Sequence, residues 1–108
     1  MDRVYIPPPN AQLFYAETVH DRIKSQIEGA AEDLKEGQSL FVEFLLTDGR
    51  RVVPTYIGFH NPNFIIVYGE DAAGNRMKAL LPHTDIQAVI TVLNKPAERK
   101  AIGFQSRE

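Results

Sequence analysis

LFVEFLLTDGRRVVPTYIGFHNPNFIIVYGEDAAGNRMKALLPHTDIQAVITVL, residues 40–93, is the stretch that decides the fold. It holds five short apolar runs, each of the first four closed by a tight polar turn. LFVEFLLT (40–47) ends at Asp48-Gly49, and RRVVPTYIGF (50–59) ends at His60-Asn61-Pro62-Asn63. FIIVYGE (64–70) ends at Asp71-Ala72-Ala73-Gly74-Asn75, RMKALL (76–81) at Pro82-His83-Thr84-Asp85, and IQAVITVL (86–93) closes the set. Such runs between Gly, Pro, Asn and Asp clusters are strand signals, and Asp-Gly is a hairpin signal because both positions tolerate positive φ. Alternation places Leu40, Val42, Phe44 and Leu46 on one face of the first strand. It places Ile86, Ala88, Ile90 and Val92 on one face of the last. Pro54 and Gly58 interrupt the second strand. Proline removes a ladder donor and glycine permits a sharp bend, so this strand is expected to be bulged or strongly curved. A barrel of only five strands needs that curvature.

One helix is expected before the strands, over residues 18–36. Thr18-Val19-His20-Asp21 has the form of a capping box, and Asp21 suits the positive helix end. Val19, Ile23, Ile27, Ala30, Ala31 and Leu34 form one apolar stripe at helical period, opposite Arg22, Lys24, Gln26, Glu28, Glu32 and Asp33. Gly37 supplies a left-handed stop. Residues 11–17 either extend the helix back to Asn10 or run extended. Pro7-Pro8-Pro9 makes the start an extended arm, so residues 1–17 form an arm, 18–93 the domain and 94–108 a tail. In the tail, NKPAERKAIGFQSRE, a short helical turn is expected after Pro96.

At 108 residues and with no cysteine, the chain reads as one domain without disulfides or thiolate metal sites. Met1-Asp2-Arg3-Val4-Tyr5 does not open a signal peptide and no run approaches membrane-spanning length, so a cytoplasmic protein with no membrane partner is expected. The net charge of −2 argues against a strong nucleic-acid binder. The charge is uneven, however. Residues 1–48 carry 4 Lys/Arg against 9 Asp/Glu, and residues 49–108 carry 8 against 5, so the strand half is mildly basic.

No catalytic constellation is visible, and the expectation is a protein that is not an enzyme and needs no cofactor. His20, His60 and His83 form neither HxH nor HExxH spacing, so no metal site is expected. Asp48, Glu70, Asp71 and Asp85 fall in turns, where carboxylates cap backbone N–H groups. Ser25, Ser39 and Ser106 lack a nucleophile context, and no glycine-rich phosphate loop exists. The loops HNPN (60–63) and PHTD (82–85) each place a histidine among small hydrogen-bonding side chains. The two loops are expected at one end of a small barrel, where imidazole stacking and Asn hydrogen bonds suit a base. The bland reading is that these residues are simply turn formers.

This layout resembles the Sm/LSm superfamily, nearest to its bacterial Hfq-like branch. VEFLLTDGRRVVPTYIGFHNPNFIIV is similar to the first motif of that family, and LLPHTDIQAVI to the second, with His83 where Hfq-like proteins carry a Lys-His pair. Departures are clear: Pro54 stands for a mid-strand glycine, His60 for an acidic residue, and Pro82 for the lysine. The Arg-Gly pair of the eukaryotic branch is missing. The resemblance covers roughly 18–93. It implies a mainly β fold, with an N-terminal helix and a small, strongly bent, five-stranded antiparallel barrel (Sm-like or SH3-like). It also implies a homo-oligomeric ring in which the fourth strand of one subunit adds to the fifth of the next.

The function expected from the resemblance is RNA binding, as a chaperone or regulatory protein. Asn61, Asn63, Phe64 and His83 would contact bases, and His60, Arg50 and Arg51 phosphate. Arg76 and Lys78 would form a lateral basic surface. The alternative is an oligomeric protein-interaction or assembly module without nucleic-acid binding, which the acidic net charge and the missing lysine favour.

Overall fold

In the computed structural model, which describes residues 15–106, the second run becomes a ten-residue strand that serves two neighbours in turn. The elements are α1 (Tyr15–Glu32), β1 (Ser39–Leu45), β2 (Arg51–His60), β3 (Phe64–Glu70), β4 (Arg76–Pro82), β5 (Gln87–Leu93) and β6 (Gly103–Phe104). β2 pairs with β1 only through Phe44↔Val52 and Leu45↔Arg51. From Val53 to His60 it pairs with β3, with a bulge between Pro54 and Tyr56. Thr55 is the extra residue, and its hydroxyl donates to the Tyr68 carbonyl at 3.2 Å. The expected bend is therefore present, at the proline that cannot donate to a ladder.

The strand order is β4-β3-β2-β1-β5, antiparallel throughout. The chain is mainly β with an N-terminal helix, as expected, but the sheet is open and does not close into a barrel. The reason lies at the bend. Once β2 has left β1, the edge it exposes is taken up further along by β6, which runs parallel to it at Tyr56↔Gly103 and Ile57↔Phe104. The expected helical turn after Pro96 is absent: residues 94–102 have no regular structure, and the chain returns to the sheet at Gly103.

The helix differs from expectation at both ends. Thr18 lies inside α1, because the cap comes from elsewhere in the chain. The Ala16 N–H donates to Pro62 O at 2.9 Å and the Glu17 N–H to Asn61 Oδ1 at 3.1 Å. Those first-turn donors have no partner within a helix. The helix stops at Glu32, ahead of Gly37, whose φ of 81° serves a Lys35–Gln38 turn closed at 3.0 Å. Its last turn has no basic residue and is followed by Asp33, a poor match to the negative end of the dipole. Of the expected arm, Tyr15–Glu17 belong to α1; the rest of it and the Asn10 alternative lie outside the described residues.

The core forms where α1 packs against β1, β2 and β3. Phe44, Val52, Ile57, Ile65 and Val67 are fully buried, with Ile27, Val42 and Leu46 beside them. Gly69 faces the bulge: a Cβ there would collide with the Val53 carbonyl and lie 2.9 Å from Val52 Cγ1. Gly29, on the open side of α1, has nothing within 4 Å. Gly69→Ala should therefore destabilise by about 1–3 kcal/mol. Gly29→Ala should stabilise by about 0.5–1 kcal/mol. Thermal melts of the two variants check the contrast.

Two carboxylates in the tight turns have their charged forms favoured by folding. Asp48 and Asp71 sit below the ordinary carboxylate pKa, chiefly because the backbone N–H groups of Arg50 and Asn75 bond their charged forms. A carboxyl whose pKa falls on folding contributes stability above its unfolded pKa, and this is lost as the pH falls through the folded value. Replacing both by Asn should flatten the acid limb of the stability profile below about pH 4, measured by urea titration.

Candidate functional site

Two loops and one helix end converge at the far end of β2. The His83 N–H donates to Asn63 O at 2.7 Å, and His83 Nδ1 lies 3.3 Å from the same oxygen. Phe64 pairs with both His60 and Pro82. Tyr15, at the start of α1, sets its ring 5.5 Å from that of His83. The 60–63 and 82–85 loops thus lie at one end, and His60, Asn61, Asn63, Phe64 and His83 are brought together. Asn61 is committed to structure, since it accepts from Glu17 N and donates to Glu17 Oε1 at 3.3 Å. Its peptide bond to Pro62 is cis.

Arg50 and Arg51 are not part of this cluster. Arg51 begins β2, with Arg50 in the turn before it, while His60 ends the strand about 30 Å along it. Arg50 is paired with Asp48 at 2.7 Å and Arg51 with Glu43 at 3.8 Å. Arg76 and Lys78 are exposed on edge strand β4. Among the described residues no carboxylate pairs with either; Lys78 Nζ instead stands 5.2 Å from the centre of the Tyr68 ring.

The cluster continues onto the outer face of β2, β3 and β4. Register sets three rows across the strands: His60, Phe64 and Pro82; Gly58, Ile66 and Leu80; Tyr56, Tyr68 and Lys78. Tyr56, Phe64, Tyr68 and Leu80 are exposed, and the two tyrosine rings meet edge-on at 5.9 Å. These three rows combine planar rings with His60 and Lys78 and hold no acidic side chain; in the next row Arg76 stands opposite Glu70, which Arg99 engages at 3.1 Å. Exposed rings and nearby cations are the elements of a stacking surface for unpaired bases. The sequence reading omitted Tyr15, Tyr56 and Tyr68. The last two were within reach: counting outward from the 60–63 turn sets Phe64 against His60 and, four residues on, Tyr68 against Tyr56, before the bulge is met.

His20 is a structural histidine. It is 1% exposed, its Nε2 donates to Ile57 O at 3.1 Å, and its Nδ1 lies 3.0 Å from Asp21 Oδ1. Phe59 and Phe104 present their rings to it at 4.8 and 5.8 Å. Among the described residues no three His, Asp or Glu side chains converge as metal ligands. Among the same residues, no helix is long and apolar enough to cross a membrane.

Comparison with known proteins finds no matching family model, no matching curated protein and no matching solved structure.

The two placements predict opposite behaviour. His20→Ala removes a buried ring and a hydrogen bond to a buried carbonyl and should cost about 2–4 kcal/mol. His83→Ala, at a partly exposed loop, should cost less than about 1 kcal/mol. Chemical denaturation of the two variants measures the difference.

Proposed function

We propose that the chain is an Sm-like protein that assembles edge to edge into a homo-oligomeric ring, and that the ring binds single-stranded RNA as a cytoplasmic chaperone or regulatory protein. One observation carries the assembly. β4 and β5 are the two end strands of the sheet, and each bears a strongly exposed apolar side chain, Leu80 at 57% and Val92 at 49%. Unpaired apolar edges are a liability in a monomer, and pairing β4 with a neighbour's β5 removes both at once.

RNA binding is supported by the end cluster and the outer face that continues it. Phe64, His60 and His83 offer planar stacking, Asn63 a side-chain amide, and Lys78 and Arg76 a phosphate-facing edge. Repetition around a ring multiplies a weak site by avidity. Arg50 and Arg51 are already held by carboxylates, so they contribute little to RNA in this reading. The alternative, an assembly module without nucleic-acid binding, is favoured by the net charge of −2 and by those internal pairs.

Native mass measurement and titration of labelled oligo(U) and oligo(A) at two salt concentrations separate the readings. The expected outcome is a ring whose RNA affinity falls with salt. Phe64→Ala and His83→Ala should each weaken binding by about 1–3 kcal/mol without dissociating the ring. Leu80→Lys combined with Val92→Lys should yield monomers. A stable ring with no measurable binding at low salt would leave only the assembly function, and a monomer at all concentrations would overturn both.

A further inference from the structure

The place where β1 and β2 part is hollow. Beyond Phe44↔Val52 no strand lies against the β2-facing edge of β1 among the described residues, so Ser39–Val42 and Val53–Pro54 form two sides of a gap. The C-terminal half of α1 supplies a third side through Ile27 and Ala31, with Leu34 just past the helix end. The segment 95–102 arches over the fourth. The resulting pocket encloses about 750 Å³, within the ordinary range for small-molecule sites.

The roof is fastened at both ends. At one end Ser39 Oγ donates to Lys95 O at 2.7 Å, and Gln38 Nε2 donates to Asn94 Oδ1 at 3.1 Å. At the other, Gln105 N donates to Ile57 O at 3.0 Å, and Phe59 N donates to Gln105 Oε1 at 2.9 Å. Between these anchors residues 95–101 are exposed, so the roof stands away from the body and does not fill the space beneath it. A polypeptide would have to thread under a segment fixed at both ends. A slender flexible chain with one free end enters without undoing either anchor.

The charges at the rim select the head of such a molecule. Lys95 is paired with Glu98 at 3.1 Å and Arg99 with Glu70 at 3.1 Å. Among the described residues no ion pair engages Lys100, on the roof, or Glu28, on the helix side, both of which also line the pocket; Lys100 is the one unengaged cation there. We propose that this pocket binds a single-chain amphiphile with an anionic head group, its acyl chain against Ile27, Leu40, Val42 and Ile102 and its head at Lys100. The site is separate from the end cluster and independent of RNA binding.

Titration of the full chain with dodecanoate below its micelle concentration, followed by calorimetry and amide NMR, tests the proposal. The expected result is one dodecanoate per chain, with shifts confined to the pocket walls and the 95–102 roof. Ala31 is exposed on α1, so Ala31→Trp should keep the fold while filling the pocket, and should abolish binding. Lys100→Glu should weaken dodecanoate roughly tenfold and leave uncharged dodecanol unchanged. The proposal is overturned by any of three outcomes: no saturable binding, binding that survives Ala31→Trp, or association only with anionic vesicles and not with the monomeric amphiphile. If Ala31→Trp lowers the melting temperature, Ala31→Leu at the same position supplies the steric test. Leucine should weaken binding in part, and unchanged affinity overturns the site.

Discussion

The bulge at Thr55 is the constraint on which the rest of the structure depends. Pro54 offers no N–H to a neighbouring strand, so a continuous ladder through this point is not available. β2 therefore leaves β1 after two paired positions and gives the rest of its length to β3. That single departure bends the sheet, keeps it open, forces a glycine at 69 where the displaced Val53 carbonyl crowds β3, and exposes a β2 edge that β6 then occupies.

The Ile57 carbonyl, two residues past the bulge, ties the consequences together. It accepts from Gln105 N and from His20 Nε2, so the C-terminal strand and the helix are fastened to the bent strand at one point. At the end of the same strand, Asn61 and Pro62 cap the helix. α1 is thereby fixed over the core, with Tyr15 beside His83, and the end cluster becomes a defined surface. The bend that prevents closure also opens the gap that the 95–102 segment roofs over.

Much of this was legible in the residues. Five apolar runs between Gly, Pro, Asn and Asp turns located the strands, and Pro54 with Gly58 located the bend, because turn chemistry and proline geometry are local properties. The helix cap was not legible: Thr18-Val19-His20-Asp21 has local capping form, but two carbonyl oxygens forty-odd residues away reach α1 first. Gly103-Phe104 was read as tail for the same reason, since two residues joining a parallel partner leave no periodicity. Of the site, the histidine loops and their common end were readable from turn residues alone. The outer face was less legible: counting back from the turn sets Tyr56 against Tyr68 before the bulge is reached, but does not say which face of the strands the helix leaves open. Arg50 and Arg51 were singled out by basic residue type alone, and hairpin geometry sets them beside Asp48 and Glu43.

Hydrogen exchange on β4 and β5 as a function of protein concentration tests the central claim most directly. If β4 of one subunit pairs with β5 of the next, the outward-facing amides of Arg76–Pro82 and Gln87–Leu93 gain protection together as concentration rises, to the level of the β2–β3 ladder. If those amides exchange freely at every concentration while the β2–β3 amides stay protected, edge-to-edge assembly is contradicted.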